Sequence, residues 1–223
     1  DTRTIKAALR GIERLFGELG RRVPVVVSAT IELSGTMLAG QDVEALWASL
    51  QHVDLLSIGL NCATGPREMN DAVRYLCANA PQQVSVLPNA GLPQNVGGRA
   101  VYKLTPAELA EFHQHFVADY GVRVVGGCCG TTPEHLKAVV GAVSGLEPAQ
   151  RAVKPEAEAA SAYTSVPLDL DPKPLVVAEE MNTTTRAEKF RNLVRGGQYD
   201  EILSLAKRLV AEGSHMLDLC VAV

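Results

Sequence analysis

The stretch VRVVGGCCGTTPEHLKAVV, residues 122–140, decides the fold. It opens on an apolar run interrupted only by Arg123, as in a strand buried on both faces. Gly126-Gly127 then breaks the run, and Thr132-Pro133 opens a segment with helical spacing. Thr132 offers an N-cap, and Pro133 takes the first helical position, where its missing N–H costs nothing. Strand, loop and helix follow in one short span, and the loop carries two adjacent thiols, Cys128 and Cys129.

The same grammar repeats upstream. An apolar run at 23–29 precedes a helical pattern at 43–50, 53–60 precedes 67–78, and 84–87 precedes 106–120, while 122–125 leads into 133–143. None of these runs alternates, which is the pattern of parallel strands covered on both faces. Thr105-Pro106-Ala107-Glu108 adds an N-cap, a first-turn Pro and a capping-box Glu. A helix at 2–19 comes first, with no strand before it. Four βα units behind an orphan helix predict an α/β fold, the C-terminal half of a (β/α)8 barrel, in which functional residues gather at the C-terminal ends of strands.

From 145 onward the composition turns to Pro, Ala, Glu and Ser, as in Lys154-Pro155-Glu156-Ala157, which predicts an interdomain linker over 145–174. A strand at 175–178, helices at 186–194 and 199–212, and a strand at 215–221 then begin a second α/β domain. The predicted division is therefore 1–144, 145–174 and 175–223. With no initiating Met, the sequence reads as an internal piece of a longer protein.

The 223 residues are 47% hydrophobic, enough to build a core. A net charge of −4 gives no electrostatic footprint for nucleic acid, and no basic run suits an anionic membrane surface. No apolar run reaches the roughly 18 residues of a membrane span, and the N-terminus is no signal peptide. Five cysteines, an odd number in a chain too large to need staples, predict a reducing, cytoplasmic setting. Cys77 falls within a helical pattern and reads as a small buried hydrophobe.

Cys62 ends the run 53–60 just as Cys128 and Cys129 follow theirs, so all three fall at strand ends. Three thiolates are a zinc donor set with one position left open. Structural zinc sites normally have four closed ligands in paired knuckles, which this sequence lacks. The helix starting near Pro133 adds a positive dipole end beside Cys128 and Cys129 that favours thiolate. Such a centre suits activation of an incoming thiol for alkylation better than hydrolysis, since no His or carboxylate is an obvious general base near the cysteines. His135, one turn into its helix, reads as a cap or surface residue. No catalytic residue is expected beyond the metal site.

Asn61-Cys62, Pro88-Asn89-Ala90-Gly91-Leu92-Pro93 and Gly126-Gly127-Cys128-Cys129-Gly130-Thr131 together resemble the homocysteine-binding barrel of the cobalamin-dependent methionine synthases. The resemblance implies that Cys62, Cys128 and Cys129 bind Zn2+, that homocysteine completes the coordination, and that Asn89 offers its amide oxygen as a weak ligand. On the residues alone Asn89 reads equally as a turn residue. The family's second barrel binds methyltetrahydrofolate, and its first strand typically reads Gly-Glu-Arg-Thr-Asn. Here Ala178-Glu179-Glu180-Met181-Asn182 keeps only Glu179 and Asn182. Phe190 and the run 216–221 are similar to the next helix and strand, with Asp218 at the position of a pterin-contacting acid; a strand-end cap is the alternative.

The implied activity is methyl transfer from methyltetrahydrofolate through methylcobalamin to homocysteine. The cobalamin would sit on another module, since no Asp-x-His-x-x-Gly segment occurs here. This chain alone is expected to be inactive. The rivals are a one-module thiol methyltransferase using betaine or S-methylmethionine, which has no reason to begin a second domain, and a non-catalytic zinc-stabilised interaction fragment.

Overall fold

The computed structural model describes residues 1–184 and 188–222. Residues 186 and 187 of the predicted helix 186–194 lie outside the described residues. The chain forms two compact units, Asp1–Ser165 and Val166–Val223.

The first unit opens with α1 (Thr2–Leu19), whose N-cap Asp1 accepts from the Thr4 amide and which Gly20 ends in the left-handed conformation. There follow β1 (Val26–Ala29), α2 (Val43–Leu50), β2 (Ser57–Asn61), α3 (Pro66–Asn79) and β3 (Gln83–Leu87). Next come β4 (Gln94–Val96), β5 (Arg99–Val101), α4 (Pro106–Tyr120), β6 (Val124–Val125) and α5 (Pro133–Val143). The sheet runs β1-β2-β3-β6 with every neighbouring pair parallel. Helices α1, α2, α4 and α5 match the predicted spans. Strands β1, β2 and β6 start later than the apolar runs that signal them, because Val23, Val53 and Val122 lead into a strand without joining its ladder, while β3 covers its whole run and adds Gln83.

The core covers both faces of β2 and β3 and so explains why they do not alternate. Strands β1 and β6, at the ends of the strand order, instead leave Val26 and Val124 exposed and are not covered on both faces, contrary to the sequence prediction. Ile58 and Leu60 of β2, Val84 and Val86 of β3, and Leu46, Leu50, Val73, Leu76 and Phe116 from the helices are all fully buried in one cluster. Strands β2 and β3 lie so close at the Gly59–Ser85 pair that a Cβ at Gly59 would overlap the Ser85 carbonyl oxygen. Thr105 and Glu108 form the predicted capping box of α4, the Thr105 amide donating to Glu108 at 2.8 Å.

Two hairpins are absent from the sequence reading. Strands β4 and β5 pair antiparallel between β3 and α4, around Gly97 and Gly98, both at positive φ. Each is three residues long and exposed throughout, so neither carries an alternating apolar pattern. The second hairpin, β7 (Glu158–Ala160) with β8 (Ser165–Pro167), lies within the stretch whose composition reads as linker. Much of that stretch is fastened to the first unit. Arg151 donates to the carbonyls of Ala80 and Gln82 at 2.9 and 2.6 Å just past α3, and Gln41 donates to the Ser161 carbonyl at 3.0 Å.

The second unit holds β9 (Val177–Ala178), α6 (Glu188–Arg195), α7 (Tyr199–Ala211) and β10 (Met216–Leu217), with β9 and β10 parallel. Met181, Phe190 and Leu209 form its core. The predicted strand 215–221 contracts to β10 plus one parallel bridge between Asn182 and Cys220. The chain is thus mixed α/β with a parallel sheet. No helix among the described residues is long and apolar enough to cross a membrane.

Candidate metal centre

The three predicted thiols come together at the C-terminal ends of β2 and β6. Cys62 and Cys129 Sγ lie 3.6 Å apart and Cys128 and Cys129 Sγ 4.0 Å apart, with all three within 4.8 Å of one another. Thiolates on one tetrahedral zinc, with bonds of about 2.3 Å, stand roughly 3.8 Å apart. The donor set and its spacing therefore fit zinc.

Each thiol is held by a separate device. Cys62 and Ala63 both adopt left-handed backbone, φ 62° and 56°, in which non-glycine residues rarely sit. This pair is anchored by the Cys62 amide donating to Leu87 O at 3.1 Å and the Thr64 amide to Cys62 O at 2.7 Å. It also turns the Ala63 amide onto the Cys62 sulfur. That hydrogen bond holds the Cys62 thiol below its ordinary range; burial opposes it, and contacts from Cys129, Cys128 and Asn89 reinforce it. Cys128 goes the other way, pushed up to about 11 chiefly by burial and then by Cys62. The Cys128 amide donates to Pro88 O at 2.8 Å, and Thr131 Oγ1 donates to Cys128 O at 2.7 Å. A Cβ at Gly127 would stand 2.5 Å from the Thr131 side chain, so the turn needs glycine there.

Asn89, one residue past Pro88 and 2% exposed, links two of the thiols. Its Oδ1 accepts from the Cys129 amide at 3.0 Å, its own amide donates to Thr64 O at 3.0 Å, and its side chain contacts Cys62. The side chain is thus engaged in organising the cluster, and its carbonyl keeps a second lone pair.

His135 is a cap, as expected, but buried rather than on the surface. Its Nδ1 accepts from the Thr132 amide at 3.2 Å, and Nε2 donates to Leu104 O at 2.8 Å. Cys77 is buried in α3, its thiol raised to about 11 by burial. In the second unit Asn182 Nδ2 donates to Asp218 Oδ2 at 2.7 Å, and the Asn182 amide donates to Glu179 O at 3.1 Å, bringing those three residues together. The three departures from the family pattern have local reasons, the first being that Ala178 packs against the second unit's core. Glu180 pairs with Arg208 at 2.7 Å, and Met181 joins the core.

Two residues near the thiols were missed. His113 on α4 is fully buried and bonds Gly126 O through Nε2 at 2.8 Å, and burial drops its pKa to about 4, so it fixes the end of β6 as a neutral imidazole. Tyr102, just past β5, contacts Cys129. The turn Asn95-Val96-Gly97-Gly98 was the available signal for the hairpin that carries Tyr102. Nothing in the sequence distinguishes His113 from a surface helix residue.

Residues 1–143 match the homocysteine S-methyltransferase family. Methionine synthase of Mycobacterium tuberculosis is 41% identical over 221 residues, 99% of this chain and 18% of that protein. Methionine synthase of Mycobacterium leprae is 41% identical over 226 residues, 99% of this chain and 19% of that protein. The chain spans about a fifth of the length of these curated relatives.

Proposed function

From the premise that the chain belongs to the homocysteine S-methyltransferase family, we propose that it is the zinc and homocysteine centre of a cobalamin-dependent methionine synthase, joined to the opening of its folate domain. In this reading residues 1–144 are the C-terminal half of a (β/α)8 barrel, 145–174 connect, and 175–223 begin a second (β/α)8 barrel for methyltetrahydrofolate. The convergence of Cys62, Cys128 and Cys129 at tetrahedral spacing carries the proposal.

Zinc held by three thiolates supplies one kind of chemistry: it keeps an incoming thiol ionised at neutral pH. The chain's residues prepare for this. The Ala63 amide favours the Cys62 thiolate, Asn89 ties the Cys129 loop to the Cys62 loop, and His113 and Thr131 hold the turn between Gly126 and Cys129. The methyl group, coming from methyltetrahydrofolate by way of cobalamin, requires a cobalamin-binding module of the parent protein. Glu179, Asn182 and Asp218 are the proposed pterin contacts. The relatives' match extends past residue 143 to 99% of the chain, which favours this reading over a one-module enzyme using betaine or S-methylmethionine.

Homocysteine binding to the zinc-loaded chain is expected to release a proton near neutral pH, because the thiol binds as thiolate. Calorimetry in buffers of different ionisation enthalpy measures it directly, and a buffer-independent enthalpy would refute thiolate capture. Asn89→Ala is expected to retain zinc but bind it roughly 10–100-fold more weakly, the usual effect of losing a partner that orients a ligand. If the Asn89 oxygen also ligates zinc before homocysteine arrives, the X-ray absorption spectrum of the substrate-free variant changes too. An unaltered spectrum leaves Asn89 an organising residue alone.

A further inference from the structure

Between β6 and Cys128 the chain runs through Gly126-Gly127, two residues of the type with the most backbone freedom. Cys128 and Cys129 both follow from that pair, so whatever fixes it fixes two of the three thiols. The β3–β6 ladder does part of this. Past the last strand pair, Val86 with Val125, the Gly126 amide donates to Val86 O at 3.2 Å and the Cys128 amide to Pro88 O at 2.8 Å. Bonds in a parallel ladder are evenly spaced and come from the two strands in turn, so the one between these two would run from the amide of residue 88 to the Gly126 carbonyl. Residue 88 is proline and has no N–H to give.

His113 gives it instead. From α4 its Nε2 reaches Gly126 O at 2.8 Å, and a ring nitrogen that meets a carbonyl oxygen must carry the proton. Nδ1 is buried and has no partner among the described residues. A fully buried side chain with one orphaned nitrogen is a poor choice for packing alone, since an apolar residue of similar size fills the same space without burying an unpaired polar atom. What the imidazole adds is one N–H, delivered where the ladder lacks one. We propose that His113 is a positioning residue: it supplies the donor that Pro88 cannot, and so holds Cys128 and Cys129 where they ligate metal. Pro88 also precedes Asn89, whose Oδ1 takes the Cys129 amide at 3.0 Å, so the strand end that carries Asn89 and the loop that carries the thiols face each other across this one gap.

The inference rests on reading the three cysteines as zinc ligands, and its test separates the two. Zinc affinity of the full chain is measured by chelator competition, and backbone amide exchange of the metal-free chain by NMR. His113→Leu is expected to weaken zinc roughly 10–100-fold, as loss of a group that orients a ligand does. His113→Gln, which again puts a donor nitrogen near the Nε2 position, should recover most of that loss. The decisive variant is Pro88→Ala in the His113→Leu chain. Residue 88 then has an N–H, the ladder closes on Gly126 O, and zinc affinity should return although the histidine is still absent. In the metal-free chain His113→Leu should speed exchange at the Cys128 and Cys129 amides roughly tenfold relative to those of β2, the worth of one hydrogen bond, and Pro88→Ala should reverse it. Unchanged zinc affinity in His113→Leu, no recovery on adding Pro88→Ala, or equal acceleration across β2 and the thiol loop overturns the proposal. If the unaltered chain takes up no zinc, the metal reading fails, and the exchange at Cys128 and Cys129 still decides whether His113 fixes their loop.

Discussion

Cys129→Ala is expected to leave the chain with essentially no zinc after dialysis, where the unaltered chain retains one ion, and Cys62→Ala and Cys128→Ala should do the same. Each change removes one of three proposed protein ligands. The loss should exceed the roughly 10–100-fold that follows removal of a hydrogen-bond partner behind a ligand. The measurement is zinc by elemental analysis against protein by absorbance, with affinity from chelator competition. Cys77→Ala supplies the control: that thiol is buried in α3 away from the cluster, so zinc should stay while stability falls. Full zinc in any of the three single variants would discard this donor set. The pH dependence has a definite sign. In the metal-free cluster Cys128 is held up to about 11, so at neutral pH zinc must displace its proton, and affinity should rise with pH throughout the neutral range. Cys62, held low by the Ala63 amide, adds less to that slope.

How much of this was legible follows from what each feature depends on. Elements whose signal is local were readable: Thr105-Pro106 and Thr132-Pro133 mark the starts of α4 and α5 because a cap and a fixed proline φ act within one turn. The thiol cluster was readable because parallel strands with helical crossovers put their C-terminal ends on one edge, so Cys62 and Cys128-Cys129 had to meet if the βα units were right. What was not readable depends on long-range contact. The left-handed pair Cys62-Ala63 has no glycine or asparagine to announce it, and it is held by bonds to β3 and within its own turn. Tyr102 needs a hairpin of two three-residue strands, too short and too exposed for periodicity to register. The Pro- and Glu-rich composition of 145–174 reads as an interdomain linker, yet composition is blind to the pairing of β7 with β8 and to one guanidinium: Arg151 ties that chain to carbonyls beside α3.

Gly59→Ala tests the framework under the site, and a large loss of stability is expected. Gly59 lies in the middle of β2 opposite Ser85 of β3, and a methyl group there would overlap the Ser85 carbonyl oxygen and hydroxyl. A side chain in the way can change rotamer, but a backbone carbonyl paired into a central strand can move only with its strand. The cost should therefore reach the upper end of overpacking, about 3 kcal/mol. That corresponds to a fall of roughly 6–12 °C in Tm for a chain of this size. Gly141→Ala is the counterpart. Gly141 sits in the interior of α5, exposed, with nothing within 4 Å of an added Cβ, so alanine should stabilise by roughly 0.5–1 kcal/mol. Thermal or denaturant unfolding of the two variants should therefore move in opposite directions from the same substitution. Equal shifts would mean that the approach of β2 to β3 is looser than described. Because β2 leads directly into Cys62 and β3 into Asn89, a widened β2–β3 pair would separate the Cys62 turn from Asn89 and the Cys129 loop it holds. Zinc affinity should then fall in Gly59→Ala although no donor atom has been removed, and should stay unchanged in Gly141→Ala.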